Sequence, residues 1–369
     1  MKTFLRLQCA KDVGPISARS LIERFGTIEA VFEASTSALE QVEGIGRARA
    51  AGIRAARSDD APDREMDRAA ECGVRIICLE DAEYPRLLKH IPDAPLCLYV
   101  KGASIGADGP TMAIVGSRRS SRYGLEQAER FGGSLAHAGF TVVSGMARGA
   151  DGAAHRGALN AGGRTVAVLG CGLAHVYPPE HKGLAEAIVQ QGALVSALPM
   201  DTPPDASHFP PRNRIIVGMS LGVLVIEAGK QSGALISARL ATEYDREVFA
   251  LPGMITNPYA HGTNALIRES SAKLITSLDD ILDDFGDLGR LMKADGNGTI
   301  DDSDSAARVP PLSDLERSVF ETIGADETPL EHIATQSGVS PAAVASTLTK
   351  LQLKGVIVQR PGNMFVRRA

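Results

Sequence analysis

The sequence has no tryptophan, and only 4% of its 369 residues are aromatic. Any surface that stacks on planar ligands therefore has to use a few Phe, Tyr or His side chains. Basic charge is also scarce: the formal net charge is −5, which argues mildly against nucleic acid as a partner. The acids are unevenly placed, however, since nine Asp and only two basic residues fall between Asp279 and Asp304. The total charge therefore says little about the central part of the chain.

Cysteine is rare and long apolar runs are missing. The five cysteines are an odd number without a Cys-x-x-Cys pair, which argues against a disulfide framework and a zinc site and favours a reducing compartment. Charge at Lys2 and Arg6 interrupts the N-terminus too early for a signal peptide. No run approaches the roughly 18 apolar residues that a membrane-spanning helix needs. We therefore expect a cytoplasmic protein without a membrane partner, metal or other cofactor.

Hydrophobic patterning divides the chain into three predicted domains and a linker. Residues 1–70 have helical spacing and two glycine turns. The second turn, Val42-Glu43-Gly44-Ile45-Gly46, resembles a helix-hairpin-helix, and a plain glycine turn between packed helices is the alternative. Residues 75–285 alternate strands and helices. Residues 287–310 are rich in Asp, Gly and Ser, which indicates a flexible linker, and residues 311–369 form the last domain.

The central domain is predicted to be a Rossmann-like, doubly wound and mostly parallel α/β sheet. Its predicted strands are continuous apolar runs, which is typical of parallel strands covered on both faces. Helical stretches such as 125–138 and 152–161 alternate with them, as in a doubly wound sheet. The strands are expected at 112–116, 141–143, 165–169, 193–195 and 223–226.

The C-terminal domain resembles a winged helix, with three helices followed by a hairpin. Two capping boxes and a Ser-Pro pair mark the helix starts, at Ser313–Glu316, Thr328–Glu331 and Ser340–Pro341. The runs 356–358 and 364–366 on either side of the turn Pro361-Gly362-Asn363 predict the β-hairpin.

Glycine- and serine-rich loops follow four of the predicted parallel strands. Ligands of open α/β sheets bind outside the carboxyl ends of the strands, and such loops let backbone N–H groups approach an anion. Two of the loops also carry arginine. We therefore predict a phosphate-binding edge, although any one such loop is explained equally by a tight turn. The loops contain Gly116-Ser117-Arg118-Arg119, 144–151 with Arg148, Gly170-Cys171-Gly172 and 227–233 with Ser232-Gly233.

Residues 208–216 combine an aromatic ring with clustered guanidinium groups. The prolines are expected to keep the chain extended up to a helix whose first turn contains Arg212, Asn213 and Arg214. Arginines there oppose the helix dipole unless an anion compensates them, and Phe209 is suited to stacking on a base. The alternatives are core packing for Phe209 and salt bridges from the arginines to Glu227 or Asp205.

Asp151, His155 and Glu227 invite a catalytic interpretation. A simpler explanation is that Asp151 caps a helix beginning at Gly152 and that His155 is a structural hydrogen-bonding group. The chain has no Gly-x-x-x-x-Gly-Lys-Ser/Thr loop, no Gly-x-Gly-x-x-Gly after the first strand and no Gly-x-Ser-x-Gly elbow. These absences argue against an ATPase, a nicotinamide enzyme and a serine hydrolase.

In order and spacing, these residues resemble the DNA-processing protein A family, also called DprA or Smf. The resemblance is dense over residues 80–275, and the three-part layout of the chain also resembles the family. Where the family usually has Ser-Glu-x-Pro, this chain has Ser196-Ala197-Leu198-Pro199, so an acidic role there is in doubt. The motifs that carry the resemblance are Val115-Gly116-Ser117-Arg118, Tyr123-Gly124, Ser144-Gly145-Met146-Ala147-Arg148-Gly149, Asp151, Ala154-His155, Gly163, 167–170, Tyr177-Pro178, Phe209-Pro210, 212–216, Glu227-Ala228, 232–236 and Pro252-Gly253.

The resemblance implies a protein that binds incoming single-stranded DNA during natural transformation, protects it and helps to load the recombinase RecA on it, as a homodimer. By the same resemblance, Arg118 contacts a phosphate, and Phe209, Arg212 and Arg214 form part of the DNA-binding pocket. We therefore expect a DNA-binding protein and not an enzyme. The residues expected at its DNA-binding site are Gly116, Ser117, Arg118, Arg119, Ser144, Gly145, Arg148, Gly149, Phe209, Arg212, Asn213, Arg214, Ser232 and Gly233.

Two other functions stay open on the sequence. Nucleotide phosphoribohydrolases have a related Rossmann-like fold, so this chain is alternatively a nucleotide-binding or nucleotide-hydrolysing enzyme. Those enzymes typically use Pro-Gly-Gly-x-Gly-Thr, however, whereas this chain has residues 227–233 with a different pattern. In the third function, the winged helix reads duplex DNA and the central domain senses a ligand. Residues 312–369 carry six basic and six acidic side chains, which suits a protein-interaction surface as well as a DNA reader.

Overall fold

The computed structural model describes residues 1–106, 109–295, 312–324, 328–353, 356–360 and 364–367. It divides into two compact units, Met1–Gly296 and Asn297–Ala369. No helix in the described part of the chain is long and apolar enough to span a bilayer.

The first unit begins with six short helices. Side-chain caps start two of them, because Thr27 accepts a hydrogen bond from the Ala30 amide and Ser35 accepts one from the Ala38 amide. The apolar faces of these helices share one hydrophobic core with strands of the sheet, and Leu21 is completely buried there. The helices are α1 Lys2–Gln8, α2 Pro15–Phe25, α3 Ile28–Glu33, α4 Thr36–Glu40, α5 Arg47–Ala56 and α6 Ala61–Glu71.

A nine-stranded sheet follows, in the order β1-β2-β6-β5-β4-β3-β7-β8-β9. In this order, all strands beyond β2 run parallel to one another, which makes seven parallel strands (β3 to β9). Strand β2 pairs antiparallel with both of its neighbours, β1 and β6. All five predicted strands are confirmed as β3 to β7. The strands are β1 Arg75–Cys78, β2 Cys97–Gly102, β3 Thr111–Val115, β4 Thr141–Ser144, β5 Thr165–Val168, β6 Ala193–Ser196, β7 Gly222–Val225, β8 Glu247–Ala250 and β9 Lys273–Leu274.

Helices cover both faces of the sheet, which is why its central strands are apolar at every position. Met112 and Ile114 of β3 pack on one face with residues of α8, α9 and α14. Ala113 and Val115 of the same strand pack on the other face with α11 and α12. The helices of this part are α7 Arg86–Lys89, α8 Arg122–His137, α9 Ala150–Asn160, α10 Lys182–Gln191, α11 Phe209–Gly218, α12 Gly233–Glu243, α13 His261–Arg268, α14 Leu278–Asp284 and α15 Gly286–Asp295.

The predicted flexible linker at 287–310 is wrong over its first nine residues, which are helical in α15. Composition hid the helical spacing of Leu288, Leu291 and Met292, and Met292 packs against the core on the α8 and α9 face of the sheet. The remainder of the predicted linker lies outside the described residues.

The second unit has the winged-helix architecture, with a three-stranded sheet in the order β10-β12-β11. The capping box of Ser313 and Glu316 is confirmed. The predicted turn 361–363 lies outside the described residues, whereas both hairpin strands are present. The elements are α16 Asp314–Glu321, β10 Thr328–Pro329, α17 Leu330–Ser337, α18 Pro341–Leu353, β11 Ile357–Arg360 and β12 Met364–Arg367.

The second predicted capping box, Thr328 with Glu331, is wrong. Thr328 pairs with Phe365 in the small sheet, and its hydroxyl accepts a hydrogen bond from the Gly324 amide. Helix α17 therefore begins only at Leu330, after Pro329 in an extended conformation. Strand pairing with residues far along the chain has overridden a local helix-start pattern.

The contact between α8 and α9 depends on glycine. A Cβ on Gly132 would collide with the Ala154 carbonyl, and a Cβ on Gly157 would collide with the Glu129 carbonyl. Both obstacles are backbone atoms, so side-chain rotation cannot relieve them. These two helices, which hold the loops after β3 and β4 in place, therefore require hydrogen as the side chain at both positions.

We expect Gly157→Ala to lower the free energy of unfolding by about 1–3 kcal/mol, because it overpacks this helix contact. The matched control is Gly183→Ala in the first turn of α10, where a Cβ meets nothing within 4 Å. The control is expected to be neutral or stabilising by about 0.5–1 kcal/mol. Urea unfolding measures both, and equal stability of the two variants would contradict the account of the helix contact.

Candidate nucleic-acid interface

The predicted strand-end loops lie side by side, because β5, β4, β3 and β7 are neighbours in the sheet. From β3 the chain adds β4, β5 and β6 one after another on one side of β3. It then returns and adds β7 on the other side of β3. The gap between the ends of β3 and β7 is therefore a topological switch point, where open α/β sheets bind ligands. An open pocket of about 720 Å³ lies there.

Nine of the fourteen predicted site residues line this switch-point pocket. They come from the loop after β3, from α11 and from the start of α12. Helix α12 points its N-terminus at the pocket, and the Ser232 hydroxyl caps it by accepting from the Ala234 amide. The nine are Gly116, Ser117, Arg118, Arg119, Phe209, Arg212, Asn213, Ser232 and Gly233.

Arg118 and Phe209 form the wall of the pocket toward β4 and β5. The Arg118 guanidinium carbon lies 4.5 Å from the centroid of the half-buried Phe209 ring, within cation–π range. Phe209 packs over Gly170, where a Cβ would lie only 2.8 Å from the ring, and its centroid is 5.7 Å from that of Tyr177. An exposed cation and a partly exposed ring thus stand together at the pocket.

Arg212 supports this wall from beneath and is only 6% exposed. Its guanidinium donates to the Gly145 carbonyl at 2.6 Å and to the Val168 carbonyl, and its Nε donates to Asn213 Oδ1 at 3.2 Å. These contacts replace the salt bridges to Glu227 or Asp205 that were considered from the sequence. Burial lowers the pKa of Arg212 to about 10, with the carboxylate of Asp151 opposing the shift, so the group stays protonated at neutral pH.

Arg214 does not join the other predicted residues. Its Nε donates to the Pro211 carbonyl, and its Nη1 lies 3.5 Å from Asp93. It lines a separate cavity of about 120 Å³, together with Gln8 and Ala197. Residues two apart on a helix point in nearly opposite directions, so Arg212 and Arg214 face different sites.

Helix α11 begins earlier than expected, at Phe209. Pro210 and Pro211 lie in its first turn and do not form an extended approach to it. Proline fits there because the first N–H groups of a helix have no partner within the helix. Arg212 and Asn213 consequently lie in the second turn.

Asp151 does not cap a helix at Gly152, because α9 already begins at Ala150. The Asp151 carboxylate accepts hydrogen bonds from the Gly145 and Ala147 amides, at 3.2 and 3.4 Å. Burial raises the pKa of this carboxyl, while the charge of Arg212 and the two amides favour its ionised form. The side chain therefore shapes the loop after β4 and lies at the floor of the pocket.

Glu227 joins three segments at the end of β7. Its carboxylate accepts from the Ser121 amide at 2.8 Å, from the Ser121 hydroxyl at 2.6 Å and from Asn257 Nδ2 at 3.2 Å. The residue is 2% exposed, and a Cβ on Gly124 would collide with it. Its charge is thus directed into the protein, where it fixes the start of α8 and the loop after β8.

Four predicted residues lie below or beside the pocket. Ser144 is completely buried, and its hydroxyl donates to the Ile114 carbonyl at 2.6 Å. Gly149 precedes α9 with a φ of 78°, which suits glycine, and a Cβ there would collide with the Ser117 carbonyl. Gly145 lines a shallow hollow beside Phe209, as Arg148 does.

The family model for DNA recombination-mediator protein A matches residues 75–286, more than half of the chain. The chain belongs to the DprA/Smf family. Models for the DprA winged-helix domain and for a SAM-like helix-hairpin-helix tandem also match, at residues 303–363 and 4–59. The family is one of DNA-processing proteins, so the resemblance stated from the sequence is confirmed.

Relatives and solved structures agree with this assignment to the DprA/Smf family. Protein Smf of Synechocystis is 33% identical over 97% of this chain and 96% of its own length. Protein Smf of Escherichia coli is 42% identical over 78% of this chain and 76% of its own length. The crystal structure of DprA from Streptococcus pneumoniae is similar at 32% identity with a TM-score of 0.68, over 77% of this chain and 97% of that one.

The structure of DNA processing protein A from Helicobacter pylori, which describes the single-stranded DNA binding mode of that protein, is also similar. Its sequence is 28% identical with a TM-score of 0.52, over 60% of this chain and 97% of that one.

Sequence reasoning missed several residues at this DprA/Smf site. Gln231, Ile236 and Tyr259 line the pocket, and Tyr177 lies against Phe209. Tyr177 was visible as part of a family motif, but the motif gives no chemical role. Tyr259 follows β8, a strand that the patterning did not reveal. Among the described residues, no group of three or more His, Cys, Asp or Glu could hold a metal ion.

His155 is completely buried on α9 and lies away from solvent. The Thr165 hydroxyl donates to the Val142 carbonyl, so it accepts a hydrogen bond from His155 Nδ1 at 2.7 Å. Burial and nearby positive charge lower the pKa of His155 to about 3. This geometry supports a structural role and does not suit a base that contacts a ligand.

We expect His155 to make the protein sensitive to acid. Since its pKa is near 6.5 in the unfolded chain and lower in the folded one, its stabilising contribution is complete above pH 6.5 and declines as the pH falls toward 3. The decline approaches about 1.4 kcal/mol per pH unit. His155→Gln should flatten the pH dependence of urea unfolding between pH 6.5 and 4.5. The control is His137→Gln, which changes an exposed histidine. If the free energy of unfolding falls with pH equally in wild type and in His155→Gln, His155 is not the source of the acid sensitivity.

Proposed function

We infer that this protein binds single-stranded DNA along the strand-end edge of its central sheet. One observation carries the proposal: the exposed Arg118 guanidinium lies 4.5 Å from the Phe209 ring at the wall of the switch-point pocket. A guanidinium group holds a phosphate, and an adjacent ring stacks on a base without regard to its sequence. The pair therefore matches the two repeating parts of a single strand.

The charges around the pocket support this proposal despite the net charge of −5. Arg118 and Arg119 are exposed at the pocket. The two acids at this pocket are both buried, with Asp151 bonded to loop amides and Glu227 bonded to the start of α8. The exposed charge that lines the switch-point pocket is thus cationic, while the half-exposed Glu180 beside it is paired with Arg148. The acid-rich segment of the chain begins only at Asp279.

The biological role that we propose is protection of incoming single strands and loading of RecA during natural transformation, by a cytoplasmic homodimer. The family assignment supports a role in DNA processing, and the Streptococcus pneumoniae and Bacillus subtilis relatives are named DNA processing protein DprA. The structural work on the Helicobacter pylori relative concerns single-stranded DNA binding by that protein. RecA loading and dimerisation rest on the family resemblance.

Arg118→Ala should lower the affinity for a labelled oligo-dT by about ten- to a hundredfold, since it removes a charged hydrogen-bond donor to phosphate. Phe209→Leu should lower it by a similar factor because stacking is lost. Fluorescence anisotropy across a salt series measures both. For wild type, the logarithm of the association constant should fall linearly with the logarithm of the salt concentration, with a slope of roughly −0.7 for each phosphate that the protein contacts. In Arg118→Ala this slope should be shallower by about 0.7, because one phosphate contact is lost.

The control for this series is Arg64→Ala, which removes an exposed arginine from α6. Its affinity should equal that of wild type. If Arg64→Ala and Arg118→Ala weaken binding equally, the strand-end edge is not the binding site. If binding is absent at low salt, or does not change with salt, the proposed function is wrong.

A nucleotide-hydrolysing enzyme is the second candidate, because a buried carboxyl, Asp151, lines a pocket that is large enough for a mononucleotide. Burial raises the pKa of that carboxyl, as in many general acids. Incubation with the four nucleoside monophosphates, followed by chromatography, should release no free base. Turnover that disappears in Asp151→Asn would establish the enzyme instead.

A further inference from the structure

A second hollow adjoins the switch-point pocket on the far side of Phe209. It lies above the ends of β4 and β5, and Arg118 and Phe209 contribute to both depressions. Tyr177 and Arg148 form its outer wall. Phe209 thus stands as a ridge between two depressions that open on the same edge of the sheet.

The second hollow contains the same pair of chemical groups as the first. The guanidinium carbon of Arg148 lies 6.0 Å from the centroid of the Tyr177 ring, as Arg118 lies over Phe209. The two ring centroids are 5.7 Å apart and their planes are inclined by 39°. Stacked bases in a duplex strand are only about 3.4 Å apart, so this spacing suits neighbouring bases of an unstacked single strand.

One feature distinguishes the two arginines: Arg148 already has an anionic partner. Its Nε and Nη2 donate to the two carboxylate oxygens of Glu180, with the Nη2 bond at 3.1 Å. Both side chains are about half exposed, at 52% and 50%. In this arrangement Arg148 lines the hollow, which has a volume of only about 20 Å³, too little for a base. The hydrogen bonds that Arg148 donates lower the pKa of the Glu180 carboxyl, so this carboxylate is ionised at neutral pH.

We propose that Arg148 and Tyr177 form a second nucleotide subsite, which opens when a DNA phosphate displaces the Glu180 carboxylate from Arg148. Phosphate offers the guanidinium the same two-oxygen geometry as the carboxylate. Movement of Arg148 toward the strand uncovers the Tyr177 ring for the base. The proposal rests on the proposed single-strand function, and it makes Glu180 an internal competitor that weakens binding.

The test is a double-mutant cycle on oligo-dT binding by the full chain at low salt. Glu180→Gln keeps the shape but removes the charge, and it should tighten binding by about two- to fivefold, the usual strength of an exposed ion pair. Arg148→Ala should weaken binding, and adding Glu180→Gln to it should bring no gain. Tyr177→Leu should weaken binding by about tenfold, whereas Tyr177→Phe should bind as wild type does.

The matched control is Glu126→Gln, which breaks an exposed pair of the same type between Arg122 and Glu126, 2.7 Å apart and 57% and 55% exposed. It should leave the affinity unchanged. The subsite is ruled out if Glu180→Gln does not raise the affinity for oligo-dT, or if it raises the affinity equally in the Arg148→Ala background. An equal rise in affinity in Glu126→Gln would rule it out as well. Equal melting temperatures show that every variant is folded.

The two proposals fail separately in these measurements. If Arg118→Ala abolishes binding but the cycle between Arg148 and Glu180 shows no coupling, only the second subsite is lost. If wild type does not bind oligo-dT, or Arg118→Ala binds as wild type does, the single-strand function fails and the subsite fails with it.

Discussion

The buried guanidinium of Arg212 is the interaction on which the strand-end edge depends. A charge inside a protein persists only where hydrogen bonds and an opposite charge compensate its lost hydration. The carbonyls of Gly145 and Val168 and the nearby Asp151 carboxylate do so here. These partners belong to the loop after β4, the end of β5 and the start of α9. One side chain of α11 therefore holds three segments together and keeps Phe209, one turn earlier, at the surface.

Close backbone packing at the switch point is the second requirement. A Cβ on Gly116 would lie 2.5 Å from the Ala150 side chain, and a Cβ on Gly149 would collide with the Ser117 carbonyl. The loops can lie this close only without side chains, and they then leave room for a ligand between β3 and β7. Glu227 turns its charge inward to hold these loops. The carboxylates of Asp151 and Glu227 thus stabilise the strand-end loops from inside the protein, while Arg118 faces the solvent.

Patterning identified the central strands because burial on both faces leaves an apolar run that needs no tertiary information. The same reasoning cannot find strand β9, because its two residues are both exposed and produce no such run. Strands β1, β2 and β8 do contain short apolar runs, which the predicted strands left out. The acidic and glycine-rich composition of residues 287–295 predicts a linker, because it outweighs a short helical period, whereas the structure has a helix there. At Thr328, a strand partner 37 residues away overrode a helix-cap pattern.

The sequence alone determined the class of fold, the order of the strand-end loops and the family, because each depends on local patterns or on motifs in linear order. Only the tertiary structure decided which arginines share a site. Arg212 and Arg214 are two residues apart, yet helix geometry turns one beneath the pocket and the other toward Asp93. It also decided that Arg148 meets Glu180, since that contact joins loops after different strands. Partners of this kind are set by packing between distant segments, which no local pattern encodes.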